Sequence, residues 1–247
     1  MQPDKKQLEI LLVNYFRVCY EDFPKGQLSP SESPDFILKM KNRYEIGIEL
    51  TRLNPASRNI PDQNQLLQIK VREQIIGLSQ DLFEKNSPLK LFVKFLFSDS
   101  KEISEERQMS VAIQAVNLIR KAVAGNSNDS FFREIIPGDL LPEGLDGILI
   151  VNHPVMEISA WERANNLGVS NDVVDDIRKA IHKKDEKLLR LYQKQQLNYY
   201  WLLITTDRLH GAKSFNLTEK IMNHEFHSEF QHVFLFDLIK ARVFQLV

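Results

Sequence analysis

Apolar positions recur with helical spacing at the start of the chain. Over residues 5–20, Leu8, Leu11, Leu12, Tyr15, Phe16 and Cys19 fall within about 140° of a wheel turning about 100° per residue. A turn-rich stretch follows, from Pro24-Lys25-Gly26 to Ser31-Glu32-Ser33-Pro34-Asp35. Two strand-like segments come next, Phe36-Ile37-Leu38-Lys39-Met40-Lys41 and Tyr44-Glu45-Ile46-Gly47-Ile48-Glu49-Leu50-Thr51. The Asn42-Arg43 pair between them is short enough to close a hairpin.

Beyond a Pro- and Asn-containing loop at 53–62, the pattern from Gln63 to Glu84 returns to a helix, with Leu67, Val71, Ile75, Leu78 and Leu82 on one face. Leu89–Phe97 (LKLFVKFLF) is apolar on both sides of a strand and is expected inside a sheet. Residues 102–124 predict another helix, Asn126–Pro142 a polar connection, and Gly147–Asn152 a short buried strand. A long basic helix is expected over 171–195. Buried strands follow at Tyr200–Thr206 and His232–Leu238, with an edge strand at Arg242–Leu246. Helices alternating with strands predict an α/β protein, a single-domain mixed β-sheet flanked by helices on both faces. No repeat or linker divides the chain, so 1–247 is expected as one domain. Residues 1–100 would form its core, and 101–247 would continue the sheet and its covering helices.

Composition narrows the setting. With 43% hydrophobic and 26% charged residues, the chain suits a globular core that needs no staples. A lone cysteine, Cys19, excludes an internal disulfide and fits a reducing compartment. The first residues lack a signal-like apolar stretch, and no run of about 18 apolar residues could span a bilayer, so a cytoplasmic protein is expected. The 32 basic and 33 acidic residues give no bulk attraction to nucleic acid. Any such partner has to be argued from a local site.

One pair of acids offers that site. Asp35 stands just before the first strand of the hairpin, after Pro34, which favours an extended backbone at Ser33. Glu49 lies near the end of the second strand. Across a tight hairpin the start of one strand lies beside the end of its partner, so the two carboxylates are expected to converge. Such a pair makes a hard oxygen site suited to Mg²⁺ or Mn²⁺, ions that polarise a phosphodiester and acidify a bound water. The plainer reading makes Asp35 a turn residue and Glu49 a solvent-facing strand position.

Ser33-Pro34-Asp35-Phe36 and Ile46-Gly47-Ile48-Glu49-Leu50-Thr51, preceded by a helix and followed by a helix and a long strand, resemble the metal-binding core of the PD-(D/E)xK, restriction-endonuclease-like superfamily. The resemblance covers roughly residues 5–97. It implies a restriction-endonuclease-like core, Asp35 and Glu49 as metal ligands, and hydrolysis of DNA phosphodiesters. DNA is the implied partner, with a homodimer as the assembly open to it. The family places a lysine two residues after the second acid, and this chain has Thr51 there. Some relatives supply the group from the next helix, where Lys70 is the choice and Gln68, Arg72 and Gln74 are the alternatives. Glu9, at the border of the first helix's apolar stripe, matches a further acid that joins the metal in some relatives. A catalytically inactive member of the fold, acting as a nucleic-acid-binding or protein-interaction module, stays open beside the enzyme, as does an unrelated α/β protein.

Two further features read more plainly. His224 and His227, at i and i+3 with His232 nearby, form no HExxH pattern, and a catalytic zinc site needs a third ligand and an open position beside such a pair. The segment Arg178–Lys194, with Ile177, Ile181, Leu188 and Tyr192 as its apolar side, reads as an amphipathic helix whose Lys179, Lys183, Lys184, Lys187, Arg190 and Lys194 form a basic outer face. In a nuclease that face would meet phosphates. No phosphate-cradling glycine motif is present.

Overall fold

The computed structural model describes residues 5–53, 63–164, 173–191, 197–207 and 214–247. In chain order its elements begin with helix α1 (Lys5–Cys19) and strands β1 (Gly26–Pro30), β2 (Phe36–Met40) and β3 (Glu45–Arg52). Helix α2 (Gln63–Glu84), strand β4 (Phe92–Phe97), helix α3 (Gln108–Gly125) and strands β5 (Phe132–Pro137), β6 (Leu145–Asn152) and β7 (Ala160–Arg163) follow. The chain closes with α4 (Val173–Leu191), β8 (Tyr199–Thr206), α5 (Ser214–Met222), β9 (His232–Asp237) and β10 (Arg242–Gln245). The class is mixed α/β, as the alternation predicts. The strands, expected in one sheet, divide between two mixed sheets carried by two compact units.

One unit holds α2 through β7. Its sheet runs β5-β6-β4-β7, with β7 parallel to β4 and the other pairs antiparallel. All six residues of β4 are buried, as its double-sided apolar pattern predicts. Val93, Phe95 and Phe97 enter one core with Val71, Ile75 and Phe83 of α2 and Val111, Ala115 and Ile119 of α3. The small side chains on α3 allow it to pack closely against α2. On the other side of β4, Lys94 is fully buried. Its Nζ donates to Glu162 Oε2 at 2.9 Å, and Glu162 is its register partner on β7. The polar connection expected at 126–142 contains a strand, β5. Its alternation is too weak to stand out, and its place comes from the ladder that β6 offers it.

The other unit is built from the body of α1, from β1 to β3, and from α4 to β10. Its sheet runs β1-β2-β3-β8-β9-β10. Strands β1, β2 and β3 form an antiparallel meander, β3, β8 and β9 are parallel, and β10 folds back on β9. Parallel neighbours need crossovers, and the described crossover helices are α4 and α5. On one face Phe16 of α1 packs against Phe234 at 5.3 Å between ring centroids, and Tyr15 donates its hydroxyl to the Leu238 carbonyl at 2.9 Å. On the other face Leu202, Ile204, Val233 and Leu235 pack with Val174, Ile177, Ile181 and Leu188 of α4 and Ile221 of α5.

The parallel neighbour of β3 is therefore β8, not the strand at 92–97 that follows it first in sequence. Both segments are buried apolar runs, and pattern alone cannot say which of them pairs with β3. Likewise β1 forms within the turn-rich stretch because β2 pairs with it, although GQLSP has no strand periodicity of its own. Among the described residues, no helix is long and apolar enough to cross a membrane.

Phe95 is fully buried in the core of its unit. Phe95→Ala is expected to cost about 3–5 kcal/mol, measured by denaturant unfolding against the wild type. A cost below about 1 kcal/mol would contradict the packing described.

Candidate functional site

The β2–β3 hairpin sets the site. Its loop is Lys41-Asn42-Arg43, one residue longer than the Asn42-Arg43 turn expected. Arg43 takes a left-handed backbone, φ 67°, in keeping with three-residue hairpin loops. Met40 N–H donates to the Tyr44 carbonyl at 2.9 Å, which starts the alternation of the antiparallel ladder. Counting from there, Phe36 opposite Ile48 is a hydrogen-bonded pair. The next step of the same register sets Asp35 opposite Glu49 as a non-hydrogen-bonded pair, the kind in which side chains share a face and stand closest.

Asp35 lies one residue before β2 begins, where the ladder runs out. The Leu50 N–H, which points to that side of β3, is taken instead by Asp35 Oδ2 at 2.7 Å. The turn before Asp35 is seated on Gly47. A Cβ at that position would lie 2.6 Å from Pro34 Cγ and 2.9 Å from Leu197 Cδ1, so any larger residue would push Pro34, and Asp35 with it, off the sheet.

Glu49 shares its sheet face with Leu202 and Ile204, the face covered by α4. Its side chain is only 1% exposed, and a carboxylate so placed must be paired. Helix α4 supplies the partners. Lys184 Nζ donates to Glu49 Oε1 at 2.6 Å and to the Leu50 carbonyl at 3.0 Å, and Lys187 Nζ donates to the same Oε1 at 2.6 Å. The sequence holds a signal for the first of these. Ile177, Ile181, Lys184 and Leu188 follow one another at steps of four, three and four residues, so Lys184 sits in the middle of the apolar stripe rather than on the basic outer face. Lys187 lies on the flank of that stripe.

The carboxyl of Asp35 titrates above its ordinary value. Burial is the largest cause and the Glu49 charge the second, while the Leu50 N–H and the charges of Lys184 and Lys187 pull the other way. Two carboxylates and the Leu50 carbonyl thus gather oxygen donors at a point that cationic groups already occupy. This donor set fits a hard divalent cation. Among the described residues no three His, Cys, Asp or Glu side chains gather as a metal-holding group, so such a cation would take its remaining ligands from main chain, water or phosphate.

The other residues singled out in the sequence lie elsewhere. Lys70 is exposed on α2, in the unit that does not carry the two acids. The alternatives on that helix have structural partners there. Gln68 brackets the backbone of Ile103, Arg72 donates to the Ser98 carbonyl at 2.7 Å and lies over the Phe97 ring, and Gln74 accepts from Gln108. Glu9 is half-buried on α1. His224 lies 3.2 Å from Arg178, and His232 packs edge-on to Trp201. No family model matches the chain, and neither a curated protein nor a solved structure does.

The raised Asp35 carboxyl gives a pH test. A folded-state value above the unfolded one of about 4 means that the native state binds the extra proton, so stability falls as pH rises from about 4 through the folded value and then levels off. Asn at this position keeps an acceptor for Leu50 N–H and has no charge to bury. The stability of Asp35→Asn relative to wild type is therefore expected to increase with pH across that window, followed by urea unfolding at fixed ionic strength. A difference that stays flat with pH would contradict it.

Proposed function

We propose that the protein is a metal-dependent nuclease with a restriction-endonuclease-like core, in which Asp35 and Glu49 hold Mg²⁺ or Mn²⁺ and Lys184 supplies the lysine missing at Thr51. One observation carries the reading. An acid at the start of β2 and an acid on β3 share one sheet face, and a lysine from the following helix of the same unit reaches the second acid at 2.6 Å. The element order of that unit supports it. Taken together α1, the meander β1-β2-β3, α4 and the parallel strand β8 repeat the order that the resemblance implies, with residues 63–164 lying in the chain between β3 and α4.

A bound divalent cation would polarise the scissile phosphate and acidify the attacking water. The chain's own residues do the rest. Asp35, oriented by the Leu50 N–H, and Glu49, fixed by burial, present two carboxylates in a set geometry. Lys184, anchored on the Leu50 carbonyl, is placed to orient the water and to stabilise charge growing on the phosphate oxygens. The apolar wall of Leu202 and Ile204 strengthens these interactions by excluding water. A binding module of the same fold is the second reading. It is favoured by the engagement of both lysines with Glu49, which would make the charges structural.

Purified protein is expected to nick DNA with Mn²⁺ or Mg²⁺ and to lose that activity on chelation. Asp35→Asn and Glu49→Gln remove most of it, and Lys184→Ala slows cleavage by about 10²–10⁴-fold, read by single-turnover cleavage of a labelled duplex. A loss at Lys70→Ala equal to that at Lys184→Ala would move the role back to α2. Divalent-cation binding with no cleavage of DNA or RNA would favour the binding module.

A further inference from the structure

Glu49 holds more positive charge than its own neutralisation requires. Lys184 and Lys187 both place Nζ 2.6 Å from the same oxygen, Oε1, although two ammonium groups sharing one oxygen repel each other. One of them would balance the carboxylate.

The second lysine balances Asp35, whose carboxyl both lysines act on. With both acids ionised, Asp35, Glu49, Lys184 and Lys187 sum to zero. Adding a divalent cation raises the sum to +2 on a face walled by Leu202 and Ile204, where uncompensated charge is expensive. A phosphodiester lowers it to +1, and an attacking hydroxide restores zero. The two lysines hold the place of a cation while the substrate is away. They are also unequal. Lys184 is tied to the Leu50 carbonyl as well as to Glu49, and its side chain is 17% exposed. The Lys187 side chain is 33% exposed, and its flexible stem reaches the carboxylate from the flank of α4.

We propose, resting on the nuclease reading above, that Lys187 is a resident counter-cation for Glu49 which is handed over to the substrate phosphate when the divalent cation binds. Metal and nucleic acid then bind cooperatively, each tightening the other by the same factor. The free protein holds metal weakly, and the complete site assembles only on substrate.

The test is Mn²⁺ binding, read from the paramagnetic resonance signal of the free ion, on the full chain with and without a short duplex oligonucleotide. Wild-type affinity is expected to rise by roughly 5–150-fold with the duplex. Lys187→Met is expected to raise it by a comparable factor without any duplex, and Glu49→Gln to abolish it in both. Thermal unfolding of each variant checks folding, with Lys187→Gln as the second substitution. Should neither fold, the wild-type comparison decides, and equal affinity with and without duplex overturns the proposal. Mn²⁺ binding that depends on Glu49 but is unchanged or weakened in Lys187→Met overturns the exchange and leaves the nuclease site standing. Absence of Glu49-dependent Mn²⁺ binding in every variant, with or without duplex, overturns the nuclease reading itself.

Discussion

A carboxylate buried in the middle of a sheet has to be neutralised, and Glu49 is that carboxylate. Left unpaired it would cost several kcal/mol, a large part of the net stability of an ordinary domain. This requirement fixes how α4 lies on its sheet. The helix docks with Ile177, Ile181 and Leu188 against Leu202, Ile204, Val233 and Leu235, and in that register Lys184 falls over Glu49. Apolar burial gives the helix its face, and the ion pair gives it its position along the strand.

The same constraint shapes the chemistry. Asp35 lies where β2 runs out, so it is at once a ladder substitute for Leu50 N–H and a second negative charge beside the first. The lysines moderate that repulsion without removing it. The unit that carries α2 to β7 handles a buried charge differently. There Lys94 meets Glu162 across the neighbouring parallel strand, within the sheet itself. Such a pair stiffens a sheet. The Glu49 cluster joins a strand to a helix instead, with lysines long enough to change partners.

Much of the local structure was legible in the chain. The β2–β3 hairpin, the double-sided burial of β4 and the helix at 63–84 each follow from periodicity. Asp35 and Glu49 share a face because the hairpin loop is three residues long; the two-residue Asn42-Arg43 turn expected from sequence would set Asp35 opposite Leu50 and turn the two acids to opposite faces. The lysine was harder to read. In sequence the helix nearest the hairpin is α2, and Lys70 on it is nearest in number, yet the helix over Glu49 begins at Val173. Lys184 leaves a trace as a charge inside an apolar stripe, but the basic residues around it give the helix the pattern of a basic outer face.

The sequence by itself determined the main helices, the buried apolar strands, and a hairpin with an acid near the open end of each of its strands. Each of these depends on neighbours a few residues away. Only the tertiary structure decided that β8 rather than β4 lies against β3, that the strands divide into two sheets, and that Lys184 and Lys187 close on Glu49. The β3–β8 pairing is made by segments about 150 residues apart, and apolar runs such as LKLFVKFLF and YWLLITT carry no label saying which of them a given strand will choose. The choice is made by the whole set of faces that must be covered together, and the chemistry of Glu49 follows from that choice.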